Sequence, residues 1–242
     1  MNKRFLFEID GPEYAGKTTT VTELVKQLNN FEFFRTPGSA PIAEKLRPIV
    51  KECDMSSEVA VGIMLASMGD FYQYVVKHSK NNVITDRGLV SSIIYQGFLN
   101  KCFDNCLELY NTAFDTLKNM IESNFEYYRI ILSINADTVM KRKAIRDAVE
   151  SNAKDKYDNM DYTGHETLCE YYRIIGIGES LYNNHYKFLY DRYFDRSRTI
   201  IIDCNNLTQE EVIDKVKQTI KTILLEEKVI DKVKQAIKTI IF

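Results

Sequence analysis

Residues Gly11-Pro12-Glu13-Tyr14-Ala15-Gly16-Lys17-Thr18 fit the phosphate-loop pattern G-x-x-x-x-G-K-[ST]. Such a loop must curl its backbone N–H groups around phosphate oxygens, with glycine wherever a side chain would block the approach. Lys17 brings a point charge to the terminal phosphates, Thr18 offers a hydroxyl to Mg²⁺, and Thr19 continues the first turn behind them. ATP with Mg²⁺ is the ligand this chemistry suits. A loop of this kind works between a strand and a helix. Arg4 to Asp10 is a short apolar run closed by an aspartate, and Lys17 to Leu28 has helical spacing.

Other charged residues stand where they could face that loop. Phe31 to Arg35 and Val83 to Asp86 read as two more strands, which puts Arg35 and Arg87 at carboxyl ends, where parallel sheets bind ligands. Forked guanidinium groups suit a second, acceptor phosphate, and Asp86 can hold Mg²⁺ directly or through water. Arg142 and Arg146 share one face of a predicted helix, Thr138 to Val149. Both could lean over a triphosphate and neutralise charge in the transition state; a solvated basic face is the plainer alternative.

The rest of the chain supplies the elements that must hold these groups. Ile42 to Val50 and Ser57 to Lys80 are helical stretches, Ile130 to Ile134 and Thr199 to Asp203 are strand signals, and a helix is expected from Thr208. Five strands alternating with helices predict an α/β protein whose parallel sheet is covered on both faces. The expected organisation is a core over 1–207 with a lid at about 142–163, then a C-terminal helical segment over 208–242. Ser151 to Thr163 is polar, the composition of a mobile lid or of a solvated surface loop. Val212 to Ile223 recurs as Val229 to Ile240 with Thr219 replaced by Ala236, an offset of 17 residues (229 − 212). A straight helix would rotate the second apolar stripe by roughly 100° from the first. Either the chain bends near Glu226-Glu227-Lys228, or the second copy faces another partner.

Composition bounds the alternatives. A chain of 242 residues with 45% hydrophobic content can build one sizeable core. Lys+Arg 32 against Asp+Glu 34 leaves a charge of −2, without the positive field of a nucleic-acid-binding protein. No run of 18 apolar residues offers a membrane span, and a cytoplasmic protein is expected. The 5 cysteines are odd in number and scattered, which suits reduced thiols, with Cys102 and Cys106 expected on one helix face. His78, His165 and His185 have no partners at catalytic spacing and read as surface residues, and the tyrosines from Tyr171 to Tyr193 read as packing.

A family resemblance rests on three segments. Arg35-Thr36-Pro37-Gly38-Ser39-Ala40-Pro41-Ile42-Ala43-Glu44-Lys45-Leu46-Arg47 resembles the R-E-P-G-G-T-x-[IL]-[AG]-E-K-[IL]-R stretch of bacterial-type thymidylate kinases. Asp86-Arg87, followed by Ser91-Ser92-Ile93-Ile94-Tyr95-Gln96, is similar to their D-R-[YFH]-x-x-S-[ST]-x-A-Y-Q segment. Leu132 to Asp137, with Arg142 and Arg146 behind it, follows the pattern that leads into their lid. The resemblance implies a three-layer P-loop kinase fold and transfer from ATP-Mg²⁺ to a deoxynucleoside monophosphate. It assigns Glu13 to orienting the acceptor, Arg35 and Arg87 to its phosphate, Arg47 to substrate binding, and Ser92, Tyr95 and Gln96 to base or sugar. For the latter trio, a helix end that merely packs and caps is the alternative. Met64 and Met68 fall where the family reads the base, with Phe71, Tyr72 and Gln73 the candidates if the register slips by one turn. Tyr14 occupies the loop position of an arginine in one branch, which turns attention to lid cations: Arg142, Arg146, Lys154 or Lys156. Thr36 and Gly88 depart from the family pattern. The implied acceptor is dTMP, with dUMP or a 5-modified deoxyuridylate close behind, and the family pairing implies a homodimer through Ser57 to Val76. A deoxynucleoside kinase, and a nucleotide-binding regulatory protein without turnover, are the competing readings.

Overall fold

The computed structural model describes residues 4–36, 38–149, 157–177 and 196–241. Pro37, Lys154, Lys156, His185 and the tyrosines beyond residue 177 lie outside them.

Apolar side chains on both faces of each strand drive these segments into the middle layer of a sandwich. Strands β1 (Arg4–Asp10), β2 (Phe31–Arg35), β3 (Asn82–Asp86), β4 (Phe125–Ser133) and β5 (Thr199–Asp203) form one sheet in the order β2-β3-β1-β4-β5. Every neighbouring pair is parallel. Helix α1 (Lys17–Gln27) follows the glycine-rich loop; α2 (Pro41–Glu52) and α3 (Ser57–His78) follow β2. After β3 comes a short α4 (Leu89–Ser92), continued by a π-helical turn over Ile93–Phe98, then α5 (Leu107–Glu122). Helix α6 (Ala136–Val149) and α7 (Tyr162–Ile177) follow β4, and α8 (Gln209–Ile241) follows β5. One face of the sheet packs Leu6, Val83 and Ile131 against α3, α5 and α7. The other packs Phe7, Ile9 and Ile130 against α1 and α8. This is the expected α/β architecture.

Several boundaries differ from expectation. Strand β4 starts at Phe125, ahead of the predicted Ile130, because the charges that disguised it are paired inside the protein. Arg129 sits 3.9 Å from the Glu8 carboxylate and donates to the Tyr127 hydroxyl at 2.9 Å, and Arg198 reaches Glu126 at 2.6 Å. Helix α7 takes in Tyr162 and Thr163, which the polar composition had assigned to a loop. Cys102 and Cys106 do not share a regular α-helix; Cys106 ends a 3₁₀ turn whose N–H reaches the Cys102 carbonyl at 3.1 Å. Helix α3 is long and apolar enough by composition to cross a membrane, contrary to the sequence reading, but Val61, Leu65, Met68, Phe71 and Val75 bury one side of it in the core.

Helix α8 runs without a break through Glu226-Glu227-Lys228, so both copies of the repeat lie on one continuous helix. The first repeat joins the core: Val212, Ile213, Val216, Ile220 and Ile223 are buried beside α1. The described apolar residues of the second copy, Val229, Ile230 and Val233, are exposed instead: Val212 is 0% exposed and Val229 is 60% exposed.

Candidate active site

The carboxyl ends of three neighbouring strands meet at one level. Ile9 is in register with Asp86, and Asp86 with Arg35, so β1 delivers the glycine-rich loop beside the two charged strand ends. Gly11 adopts φ 149°, and a Cβ there would come within 2.4 Å of the Leu132 carbonyl oxygen. Gly16 adopts φ 89°, and a Cβ would meet the Gln209 amide oxygen at 2.4 Å. Gly11 is therefore fixed by a backbone neighbour as well as by its own geometry, whereas Gly16 is fixed by its backbone conformation, since the Gln209 side chain can swing away. Lys17 is buried and donates to the Pro12 carbonyl at 2.7 Å; burial lowers its pKa, with the nearby Arg87 acting in the same direction.

A cavity of about 1030 Å³ opens above the loop. Its wall includes Glu13, Tyr14, Gly16, Lys17, Thr18 and Thr19 from the loop and α1, and Arg35, Arg47, Asp86 and Arg87 from the facing elements. Met64, Met68, Ser92, Tyr95 and Gln96 also line it, as do Arg142 and Arg146. Gly11, Pro12 and Ala15 are buried beneath the loop and are not on the wall. Phe71 and Tyr72 lie in the core with the Tyr72 hydroxyl on Glu8, and Gln73 is exposed; none of the three lines the cavity, whereas the two methionines do.

Three guanidinium groups, of Arg35, Arg47 and Arg87, line the cavity together. Burial lowers the Arg47 pKa, and the charges of Arg35 and Arg87 act in the same direction against the opposing pull of Glu44 and Asp86. Arg87 has φ 75°, and its N–H is anchored to the Ile9 carbonyl at 2.9 Å. Its guanidinium donates to the Glu13 carboxylate and to the Ser91 hydroxyl at 3.3 Å, and lies 4.9 Å from the Tyr95 ring centroid. The Tyr95 hydroxyl donates to the same Glu13 oxygen at 3.0 Å. Burial alone would raise the Glu13 pKa, but Arg87 and Lys17 outweigh it and hold the carboxyl at about 2. The π-helical turn that carries Tyr95 and Gln96 widens the helix where they face the cavity.

Three buried polar atoms on this wall have no protein partner: Thr36 Oγ1, Ser92 Oγ and Asp86 Oδ1. The second Asp86 oxygen accepts from Thr18 Oγ1 at 2.5 Å. An adjacent hydroxyl and carboxylate with a spare oxygen suit a hard divalent cation that keeps water and phosphate ligands. No cluster of three His, Cys, Asp or Glu residues occurs among the described residues, so a cage built wholly from such side chains is not offered there.

The two arginines of α6 have different surroundings. Arg142 donates to the carbonyls of Tyr14 at 3.2 Å, Cys204 at 2.8 Å and Leu207 at 3.2 Å, tying the loop to the β5–α8 connection. Arg146 reaches the Tyr14 hydroxyl at 3.1 Å and the Asp158 carboxylate at 2.7 Å. Sequence reasoning placed His165 on the surface; it is fully buried, edge-on to the Tyr14 ring at 6.0 Å. Nor is Tyr172 mere packing, since its hydroxyl donates to Asp10 at 2.8 Å behind the loop.

Some wall residues escaped the sequence reading. Thr36 follows Arg35 in the quoted motif, and that adjacency was the available signal. Leu207, Thr208 and Gln209 carried none, because only the return of the chain through β5 sets them on the loop, where Gln209 Nε2 donates to Thr20 Oγ1 at 3.0 Å.

Comparison with known proteins shows the family. The family model described as thymidylate kinase matches residues 9–176. A thymidylate kinase from Nautilia profundicola is 27% identical over 157 residues, covering 63% of this chain and 76% of the relative. One from Finegoldia magna is 23% identical over 184 residues, covering 69% and 86%. The solved structure of a thymidylate kinase from Candida albicans, 15% identical, superposes with a TM-score of 0.58 over 91% of this chain and 92% of its own, and so shares the fold. With the family model spanning most of the chain, the protein belongs to the thymidylate kinase family and is a nucleoside monophosphate kinase, a transferase.

Proposed function

We propose that the chain transfers the γ-phosphoryl group of ATP to dTMP, with dUMP or a 5-modified deoxyuridylate the next acceptors. The observation that carries this reading is that the Lys17 loop and the Arg35, Arg47 and Arg87 guanidinium groups line one cavity. Two anionic phosphates must be brought end to end for this reaction, and cations on both sides reduce their repulsion.

In this reading the loop amides and Lys17 hold the triphosphate, and Arg35, Arg47 and Arg87 hold the acceptor phosphate. Glu13, ionised by its neighbours, keeps Arg87 aimed and orients the acceptor. An attacking oxygen of the monophosphate forms the new P–O bond as the bond to the leaving ADP oxygen breaks. The attacking phosphate is already ionised, so alignment and charge neutralisation replace a general base. Arg146 offers its charge from α6, while Arg142 braces the loop. Thr18 and Asp86 would hold Mg²⁺, which supplies charge neutralisation across the terminal phosphates when bound. Met64 and Met68 press on the base, with Ser92 and Gln96 as its polar readers. The reading includes a cytoplasmic enzyme and a homodimer through α3; a monomeric mass in sedimentation would remove the latter.

The test is a panel of acceptors with ATP-Mg²⁺: dTMP, dUMP, dCMP, dGMP and thymidine, read by ADP formation. Turnover with dTMP above the others is expected. Preference for thymidine would assign a nucleoside kinase, and ATP binding without turnover for every acceptor would assign a non-catalytic binding protein.

A further inference from the structure

We infer that Tyr14 is a positioning residue that holds the Arg146 guanidinium over the phosphate-binding loop, replacing a cation on the loop with an aromatic seat for one. The inference rests on the reading of Arg146 as the cation supplied from α6.

Tyr14 sits inside the loop with φ 63°, a backbone region that side chains other than glycine seldom occupy. Its ring is clasped from two directions. The edge-on His165 ring stands 6.0 Å away at 80°. The Arg146 guanidinium carbon lies 4.2 Å from the ring centroid, and the Lys143 ammonium 5.6 Å. The Tyr14 hydroxyl also accepts from Arg146 at 3.1 Å and from Lys143 at 3.4 Å. The backbone carbonyl of the same residue accepts from Arg142 at 3.2 Å. One loop residue thus gathers three cations of α6.

The chemistry favours a phenol in this role. The negative face of the ring attracts the guanidinium without neutralising it. Burial, with the nearby Asp158 carboxylate, pushes the Tyr14 hydroxyl up to about 12, so the ring stays neutral near pH 7. Asp158, 2.7 Å from Arg146, draws that cation towards the turn after α6, and the Tyr14 ring draws it towards the loop. Both Tyr14 and Arg146 line the cavity. Neutralisation of a transferring phosphoryl group depends steeply on placement, and a shift of about 1 Å can lower the rate about 100-fold.

The test is steady-state kinetics with ATP-Mg²⁺ and dTMP on Arg146→Ala, Tyr14→Phe, Tyr14→Asn and the double variant Tyr14→Asn/Arg146→Ala, with thermal unfolding of each. Asparagine tolerates the left-handed backbone, so Tyr14→Asn removes the ring without adding strain. Arg146→Ala is expected to lower kcat about 100-fold. Tyr14→Phe keeps the ring and should retain kcat within about threefold, while Tyr14→Asn should lose about tenfold in kcat with little change in KM for ATP. The double variant should be no slower than Arg146→Ala alone, because the ring then has nothing to hold. Should Tyr14→Asn fail to fold, Tyr14→His, a smaller ring that also tolerates this backbone, replaces it and should fall between wild type and Arg146→Ala. Wild-type kcat in the ring-removing variant, or a double variant slower by the full product of both losses, overturns the positioning role and leaves the kinase reading standing. Unchanged kcat in Arg146→Ala overturns the role of Arg146 and the positioning with it; absence of dTMP turnover in the wild-type enzyme is the separate result that sinks the kinase reading.

Discussion

The Glu8 carboxylate lies directly against Gly88: a Cβ on that glycine would sit 2.0 Å from it. Glu8 cannot move aside easily, being fully buried, accepting from the Tyr72 and Tyr127 hydroxyls and lying 3.9 Å from Arg129. Gly88 also follows Arg87, whose φ of 75° sets the direction of its guanidinium. We therefore expect Gly88→Ala to lower stability by about 1–3 kcal/mol, the usual range for overpacking a core, and to lower kcat by moving Arg87. Thermal unfolding and dTMP kinetics check both parts. A variant with wild-type Tm would show that the carboxylate has room to withdraw.

Stability should fall as pH rises through the neutral range. Burial raises the Glu8 pKa from 4.5 to about 7, against the opposing pull of Arg129 and the two tyrosines. The folded protein therefore binds this proton more tightly than the unfolded chain. Its contribution is complete below about pH 4.5 and is lost as pH climbs through about 7. Glu8→Gln removes the titration, so its unfolding free energy relative to wild type should increase between pH 5 and 8, by roughly 3 kcal/mol at most. A difference that stays flat across that interval would place the Glu8 titration elsewhere.

Lys17→Ala should abolish phosphoryl transfer without unfolding the protein. The Lys17 ammonium meets the Pro12 carbonyl of its own loop at 2.7 Å and lines the cavity, but it is not part of either apolar cluster. Far-ultraviolet circular dichroism should match wild type, and ADP formation should drop by at least about 100-fold. Retained turnover would contradict the role given to the loop.

Deleting residues 228–242 should leave kcat within about twofold and Tm within a few degrees, since exposed side chains contribute little to stability. The cut preserves Glu227, whose carboxylate accepts from the Tyr128 hydroxyl at 2.6 Å. Val229, Ile230 and Val233 beyond it are exposed in this chain. A large loss of stability would mean that the second repeat is covered in solution.

Much of the site was legible in the sequence because its signals are local. The glycine and lysine spacing from Gly11 to Thr18 specifies a loop by its backbone needs, and alternating apolar runs specify the strands whose carboxyl ends carry Arg35 and Asp86. Met64 and Met68, placed by counting back from Asp86 along the family resemblance, both lie on α3 and line the cavity. The first half of β4 was hidden, because Glu126 and Arg129 look like surface charges until their partners Arg198 and Glu8 are seen.

Pairings between distant segments belong to the tertiary structure. Nothing in the spacing of Arg142 and Arg146 distinguishes them, yet one meets carbonyls of two loops and the other a tyrosine ring. His165 looked like a surface residue until α7 laid it behind Tyr14. The repeat makes the division plainest, since Val212-Ile213 and Val229-Ile230 are the same dipeptide in the same local sequence. The chain's own pattern makes both copies helical and amphipathic. Burial of an apolar stripe needs a surface opposite it, and α1 and the sheet provide one for the first copy, whereas among the described residues none covers the exposed Val229 and Ile230.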